Sequence, residues 1–270
     1  MQLQFCPLFS SSSGNSIFVG TEKTKILIDA GLSGAKITTE LKKIGVNPEE
    51  LSAILVTHEH SDHISGVGVL SRRYHIPVYA NAGTWAAMRG KLGAIEAANV
   101  VEFETGGDFS ISDLNIRPFA TPHDAAEPVG YAVCAGSCKA SIATDLGCIR
   151  EGWLSEVAAS DVLLLEANHD VETLQYGPYP YFLKRRILGD EGHLSNDAAA
   201  EFARLAVQSG TRDILLAHLS KENNTPELAE YAVARALQSA GLSVRLGVAP
   251  RDTMSEVHLC RRSPSFASAN

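Results

Sequence analysis

Three apolar, β-prone runs open the chain, LQFCPLF, SIFVG and KILIDA, and turn-forming Gly and Ser separate them. They predict the first strands of a sheet. Residues 33–44 change to a helical pattern that stops at Gly45, and AILVT at 53–57 then reads as a short buried strand. That strand runs directly into HEHSDH. A helical stretch through Arg73, the strand PVYA, a helix around residues 85–91 and several strands between 100 and 145 follow. A second round brings a helix at 153–159, the strand VLLLEA, a long connection at 168–192, a helix from about Ser195, the strand ILLAHL, a helix at 226–240 and two last strands. Leu228, Ala232, Ala236 and Ala240, spaced by four, predict the core face of that last helix. Mixed strands flanked by helices in two similar halves predict an α/β fold, a four-layer αββα sandwich.

Composition supports a folded enzyme-sized unit: 45% of residues are apolar and 20% charged, near the average of globular chains. Residues 1–260 are expected to form one domain, and the segment 261–270, RRSPSFASAN, has the composition of a disordered tail. The formal net charge of -8 argues against a protein that coats nucleic acid through a broad basic face. It leaves a nucleic-acid enzyme open, because two divalent cations would offset about half of that charge where a phosphate must approach. Five cysteines without zinc-finger spacing predict no disulfide framework and fit a reducing cytoplasm. No secretory signal pattern is visible, and no apolar run approaches the ~20 residues of a membrane span.

HEHSDH places three imidazoles and a carboxylate within six residues, immediately after a strand. Neutral imidazole and carboxylate are ligands that zinc, manganese and iron share. His58 and His60, two apart, project together from an extended segment, whereas Asp62 and His63 require the loop to curl into a helix start. One pair then serves each of two ions. Three more residues of ligand type follow strand-like runs: His123 in TPHD, Asp145 after ASIAT and His218 in ILLAHL. A lone His or Asp after a strand is more often a turn or cap residue. In a sandwich, however, these three ends would gather at one rim with HEHSDH.

HEHSDH followed by a separate His, Asp and His resembles the HxHxDH signature of the metallo-β-lactamase superfamily and its three downstream ligands, over nearly the whole chain. The resemblance implies that His58, His60 and His123 bind one divalent metal, that Asp62, His63 and His218 bind the other, and that Asp145 bridges them. His63 and Asp145 together resemble the dinuclear hydrolase branches; true β-lactamases commonly lack that histidine and carry Cys at the later position. Cys148, three residues past Asp145, reads as a packing residue. SSSSGNS near the start, EANHD at 166–170, GHLSN at 192–196 and HLSKENNTP at 218–226 resemble the YycJ/WalJ group of DNA exonucleases. This implies stepwise cleavage of DNA, 5′-phosphorylated, from its 5′ end. GHLSN is also similar to the GHS-type motif of tRNA 3′-end processing nucleases, whose histidine assists phosphodiester cleavage; the chain shows no extended tRNA-binding arm.

The expected reaction is phosphodiester hydrolysis by a hydroxide shared between two divalent ions, with Asp62 and Asp145 orienting it and His193 acting as general acid outside the ligand sets. Ser13 and Asn15, with Ser11 and Gly14, form a donor-rich loop that would hold a phosphate, although the same residues suit a simple β-turn. Lys184, Arg185 and Arg186 are candidates for the DNA backbone, against the solvated face that a charge run usually is. Glu166 is a candidate to orient its neighbour His169, and His169 to orient the site, while Asn223 and Asn224 would fix the loop of His218 through side-chain to backbone bonds. His75 and His258 are read as structural. Competing readings are a small-molecule hydrolase, either a glyoxalase II-type thioesterase or a cyclic phosphodiesterase, and a non-enzymatic binding module of the same fold. The last usually loses ligands, and none of the seven is missing.

Overall fold

The computed structural model describes residues 2–150 and 152–260; the tail expected at 261–270 lies outside them. The first half runs β1 (Leu3–Ser11), β2 (Gly14–Gly20), β3 (Lys25–Ile28), α1 (Gly34–Lys43), β4 (Ala53–Leu55), α2 (Ser61–Ile64), α3 (Val67–Tyr74), β5 (Val78–Ala80), α4 (Ala82–Met88) and β6 (Val100–Glu102). The second runs β7 (Phe109–Ile111), β8 (Leu114–Ala120), β9 (Val129–Ala135), β10 (Cys138–Ala143), α5 (Trp153–Val157), β11 (Val162–Glu166), α6 (Val171–Tyr176), α7 (Tyr181–Ile187), α8 (Asn196–Gln208), β12 (Asp213–Ala217), α9 (Pro226–Ser239), β13 (Arg245–Val248) and β14 (His258–Cys260). One sheet has the order β14-β1-β2-β3-β4-β5-β6 and the other β13-β12-β11-β10-β9-β8-β7. Each is antiparallel toward one edge and parallel toward the other: β3, β4, β5 and β6 run together in the first, β10, β11, β12 and β13 in the second.

Strands buried on both faces read as nearly continuous apolar runs, and their alternation decides which layer each residue joins. Leu3, Phe5, Ile17, Ile28, Leu55, Ile142 and Leu164 face the layer between the sheets. Cys6, Phe18, Leu27 and Ile54 face outward onto α1, α3 and α4, while Leu163, Leu165 and Ile214 face outward onto α5, α8 and α9. Three apolar layers between four structural layers make the αββα sandwich. The hydroxyl of Tyr131 on β9, wholly buried, donates to the Val56 carbonyl at 2.7 Å, tying the second sheet to the first two residues before His58. That bond satisfies a polar group that would otherwise be costly to bury.

Two sequence expectations change. The core face of α9 is Ala229, Val233 and Leu237; Leu228 is exposed and Ala240 lies at the C-cap, so the predicted stripe is displaced by one position. Both stripes are four-spaced and apolar, and packing against α8 and β13 selects between them. The connection at 168–192 contains two short helices, α6 and α7. Among the described residues no helix is long and apolar enough to cross a membrane, and no disulfide joins the cysteines.

Candidate metal centre

The chain ends its strands at one rim, and there it places its ligand-type side chains. His58 follows β4, His123 follows β8, Asp145 follows β10 and His218 follows β12. His60 is the N-cap of α2, whose first turn carries Asp62 and His63. The helix start required for the second pair is therefore present. Three residues at strand ends, Asp29, Asp145 and His218, have left-handed φ angles of 60°, 58° and 55°. Such backbone costs on the order of 1–3 kcal/mol per residue and persists where surrounding contacts hold it, commonly at functional sites.

All seven predicted ligands come together. His58, His60 and His123 form one group able to hold an ion, and Asp62, His63 and His218 form another; His58, His63 and Asp145 form a third that connects them. Asp145 Oδ2 lies 3.3 Å from His63 Nε2, and its Oδ1 lies 3.4 Å from His218 Nδ1 and 3.7 Å from His123 Nε2. Asp145 thus reaches both groups. His58 Nε2, His218 Nε2 and Asp145 Oδ2 are buried without a hydrogen-bond partner, although such atoms are costly to bury alone. These three atoms, without protein donors, fit a divalent transition-metal ion.

Surrounding carboxylates orient the imidazoles. Asp29 Oδ2 accepts from His63 Nδ1 at 2.8 Å, while its other oxygen takes the Thr57 amide, so His63 presents Nε2 to the site. Sequence reading missed Asp29, although it follows a strand as Asp145 and His218 do. Glu166, fully buried, accepts from His193 Nδ1 at 2.8 Å and His218 Nδ1 at 2.9 Å, and from the Leu146 amide. Its partners are therefore across the sheet, and not the adjacent His169. Neither ring nitrogen of His169 has a partner and burial pushes its pKa down to about 4; its backbone instead bridges to Ser195, the N-cap of α8. Asn168 and Ser10 share the role expected of Asn223 and Asn224: Asn168 Nδ2 donates to the His218 carbonyl and the His218 amide donates to Ser10 Oγ, while the Asn224 side chain bonds the Ala167 carbonyl and the Thr225 amide. Asn224 ties Ala167 to Asn196, and Asn223 stays within its own turn at Ser220.

Burial opposes charge throughout this cluster, yet opposite charges outweigh it at several positions. Without an ion, Asp145, Asp62 and Glu166 overcome the burial of His218 and raise its pKa to about 10, so a bound metal would take the place of its Nε2 proton. His63 and His218 in turn hold Asp62 far below the usual carboxylate range despite its burial. At His58 burial, with the neighbouring imidazoles of His63, His123 and His60, outweighs Asp62 and pushes the pKa well below the ordinary histidine value.

The outer side of the centre carries the remaining candidates. His193 sits 17% exposed, with ring centroids 5.1 Å from His123 and 5.2 Å from His218. Asn15 turns inward, its Nδ2 3.1 Å from His63 Nε2 and 3.4 Å from Asp62 Oδ2, so it braces ligands and does not face a substrate. Ser13 is exposed in the β1–β2 turn, its amide on Ser11 Oγ, as the simple-turn reading expects. Lys184 caps α6 by donating to the Gln175 and Gly177 carbonyls, which removes it from the free cations. Arg186 pairs with Asp124, whose backbone carbonyl meets His60 Nε2 at 3.1 Å; Arg185 is exposed.

Gly31 is fixed by close approach. A Cβ at Gly31 would fall 1.6 Å from the Asp62 carbonyl oxygen and 2.7 Å from the Asn15 amide nitrogen. Because both neighbours are backbone, Gly31→Ala must displace the α2 turn that bears Asp62 and His63. Metal affinity is expected to fall roughly 10- to 100-fold, read by metal content after dialysis against graded chelator. An unchanged metal content would contradict this placement.

The sandwich and its rim of histidines and aspartates define a metal-dependent hydrolase of the metallo-β-lactamase type. Residues 24–219 match the family described as Beta-lactamase superfamily domain, and the chain belongs to that superfamily. Within it the chain is 42% identical over 244 residues to Exodeoxyribonuclease YycJ of Bacillus anthracis, covering 90% of this chain and 92% of that protein. It is 45% identical over 248 residues to Exodeoxyribonuclease WalJ of Streptococcus pneumoniae, covering 91% and 92%. The crystal structure of the metallo-β-lactamase fold protein YhfI from Bacillus subtilis superimposes with a TM-score of 0.71 at 15% identity, covering 94% of this chain and 98% of that one, a likeness of fold.

Proposed function

We propose that this chain is a dinuclear metal-dependent phosphodiesterase that degrades DNA from a 5′-phosphorylated end. The observation that carries this reading is the intact seven-residue centre with the His193–Glu166 pair at its open side, in a chain 42% and 45% identical to proteins named exodeoxyribonucleases. His58, His60 and His123 would hold one ion and Asp62, His63 and His218 the other, with Asp145 shared. Zinc, manganese and iron all suit these donors. When bound, such ions supply positive charge at the phosphoryl oxygens and lower the pKa of water from ~15.7 to ~7.

The protein's own part is positioning and proton transfer. Asp29 and Glu166 fix the tautomers of His63 and His218, and Asn15 braces Asp62. Asp62, kept anionic and 22% exposed at its side chain, orients the attacking water. With its Nδ1 proton held by Glu166, the imidazolium form of His193 carries a second proton at Nε2 and can give it to the departing oxygen. Arg185, exposed on α7, suits a phosphate contact, whereas the Arg186 charge is shared with Asp124. The absence of disulfides and the DNA substrate together support a cytoplasmic enzyme.

The test is product analysis. Metal-loaded protein with 5′-phosphorylated, 3′-labelled DNA should shorten it stepwise from the 5′ end and release nucleotides or very short products. DNA left intact beside rapid turnover of a thioester would replace this reading with the glyoxalase II-type alternative.

A further inference from the structure

The segment YGPYPYF, joining α6 to α7, carries four aromatic rings within seven residues. Tyr176, Tyr181 and Phe182 are 87%, 76% and 73% exposed, among the largest apolar groups the described residues leave in water. Unpartnered aromatic surface of this kind marks a binding site more often than a fold requirement.

Its position says what binds there. Helical spacing puts Tyr181 on the same face as Arg185 and Phe182 on the same face as Arg186, one turn apart. Arg186 Nη2 meets Asp124 Oδ1 at 3.0 Å, and that oxygen lies 3.4 Å from His123 Nε2. At the end of α7, the His193 amide donates to the Ile187 carbonyl and the Gly192 carbonyl accepts from His123 Nδ1 at 3.0 Å. The aromatic helix is thus fastened at one end to a metal-ligating histidine and to the proposed acid. Its exposed surface sets two rings beside the guanidinium of Arg185, while Arg186 is held by Asp124: flat apolar faces for bases and a cation for a phosphate. A single-stranded nucleic acid presents that pairing of groups.

We propose that Tyr181 and Phe182, with Arg185, form a stacking ledge that holds single-stranded DNA as its end enters the metal centre, while the Arg186–Asp124 pair anchors the ledge to that centre. The proposal rests on the nuclease reading above and adds its substrate form: a strand whose bases are unpaired over the ledge. Lys184 locks the ledge in place through the Gln175 and Gly177 carbonyls, so its charge serves α6 and not the strand.

Stacking of one base on an aromatic side chain corresponds to roughly 5- to 150-fold in affinity. Metal-loaded wild type, Tyr181→Ala/Phe182→Ala and Phe182→Trp should be compared on a 5′-phosphorylated oligothymidylate that crosses the ledge and on the 5′-phosphorylated thymidine dinucleotide. For the double variant, kcat/KM on the oligonucleotide should fall by that factor relative to the dinucleotide, through KM, while Phe182→Trp should keep the wild-type ratio. Abasic sites placed near the 5′ end should cost the wild type a similar factor and the double variant little further. An unchanged ratio in the double variant, or full sensitivity to abasic sites without the rings, overturns the ledge alone. A wild type that leaves both DNA substrates intact but hydrolyses a thioester overturns the nuclease reading, and the ledge with it.

Discussion

Asp145→Ala is expected to lower DNA hydrolysis by roughly 10³-fold or more and to leave fewer than two metal ions per chain. Asp145 is the carboxylate whose oxygens face His63, His123 and His218 together, at 3.3 to 3.7 Å. Without it, the ligand sets lose the anion they share, and imidazoles that repel one another when protonated are left facing across the gap. Elemental analysis and turnover on DNA should fall together. Asp145→Asn keeps the shape and removes the charge, so its metal loss separates charge from packing. Two ions per chain retained in Asp145→Ala would remove the bridging role.

His193→Ala should behave differently. Its Nδ1 is engaged by Glu166, and although it could join Asp145, Glu166 and His218 around an ion, the seven proposed ligands do not include it, so both metals and the fold should remain. Turnover on DNA should fall by ~10²- to 10⁴-fold, the usual loss of a general acid, equivalent to roughly 3 to 5 kcal/mol of barrier. His60→Ala is the control that should lose metal as well as rate. Metal loss in step with activity in His193→Ala would make His193 a ligand, and near-normal turnover would end its role as acid.

The dense part of the site was readable from sequence because HEHSDH is local: one strand end and one helical turn carry four of the proposed ligands, and no tertiary information is needed to see them together. His123, Asp145 and His218 were readable through their places after strands. The supporting residues were not, because their partners are set by strand register. Glu166 pairs with Ala217 across the parallel β11–β12 ladder, which puts its carboxylate beside His218, and a sequence neighbour such as His169 points elsewhere. Asn15 looked like a phosphate binder from its turn, but the β1–β2 pairing aims it at Asp62 and His63. In α9, Ala and Leu occur at fours on two adjacent lines, and only packing decides which line is buried. Lys184 and Arg186 form one charge run in sequence, yet helical rotation sends the first to α6 and the second to Asp124.

If the His/Asp rim holds the metals that drive cleavage, a metal titration will follow activity ion by ion. Protein stripped by chelator and given increasing manganese or zinc should show no cleavage of 5′-phosphorylated DNA when metal-free, and activity should reach its plateau as the second ion per chain binds. Full cleavage by completely metal-free protein would contradict the account.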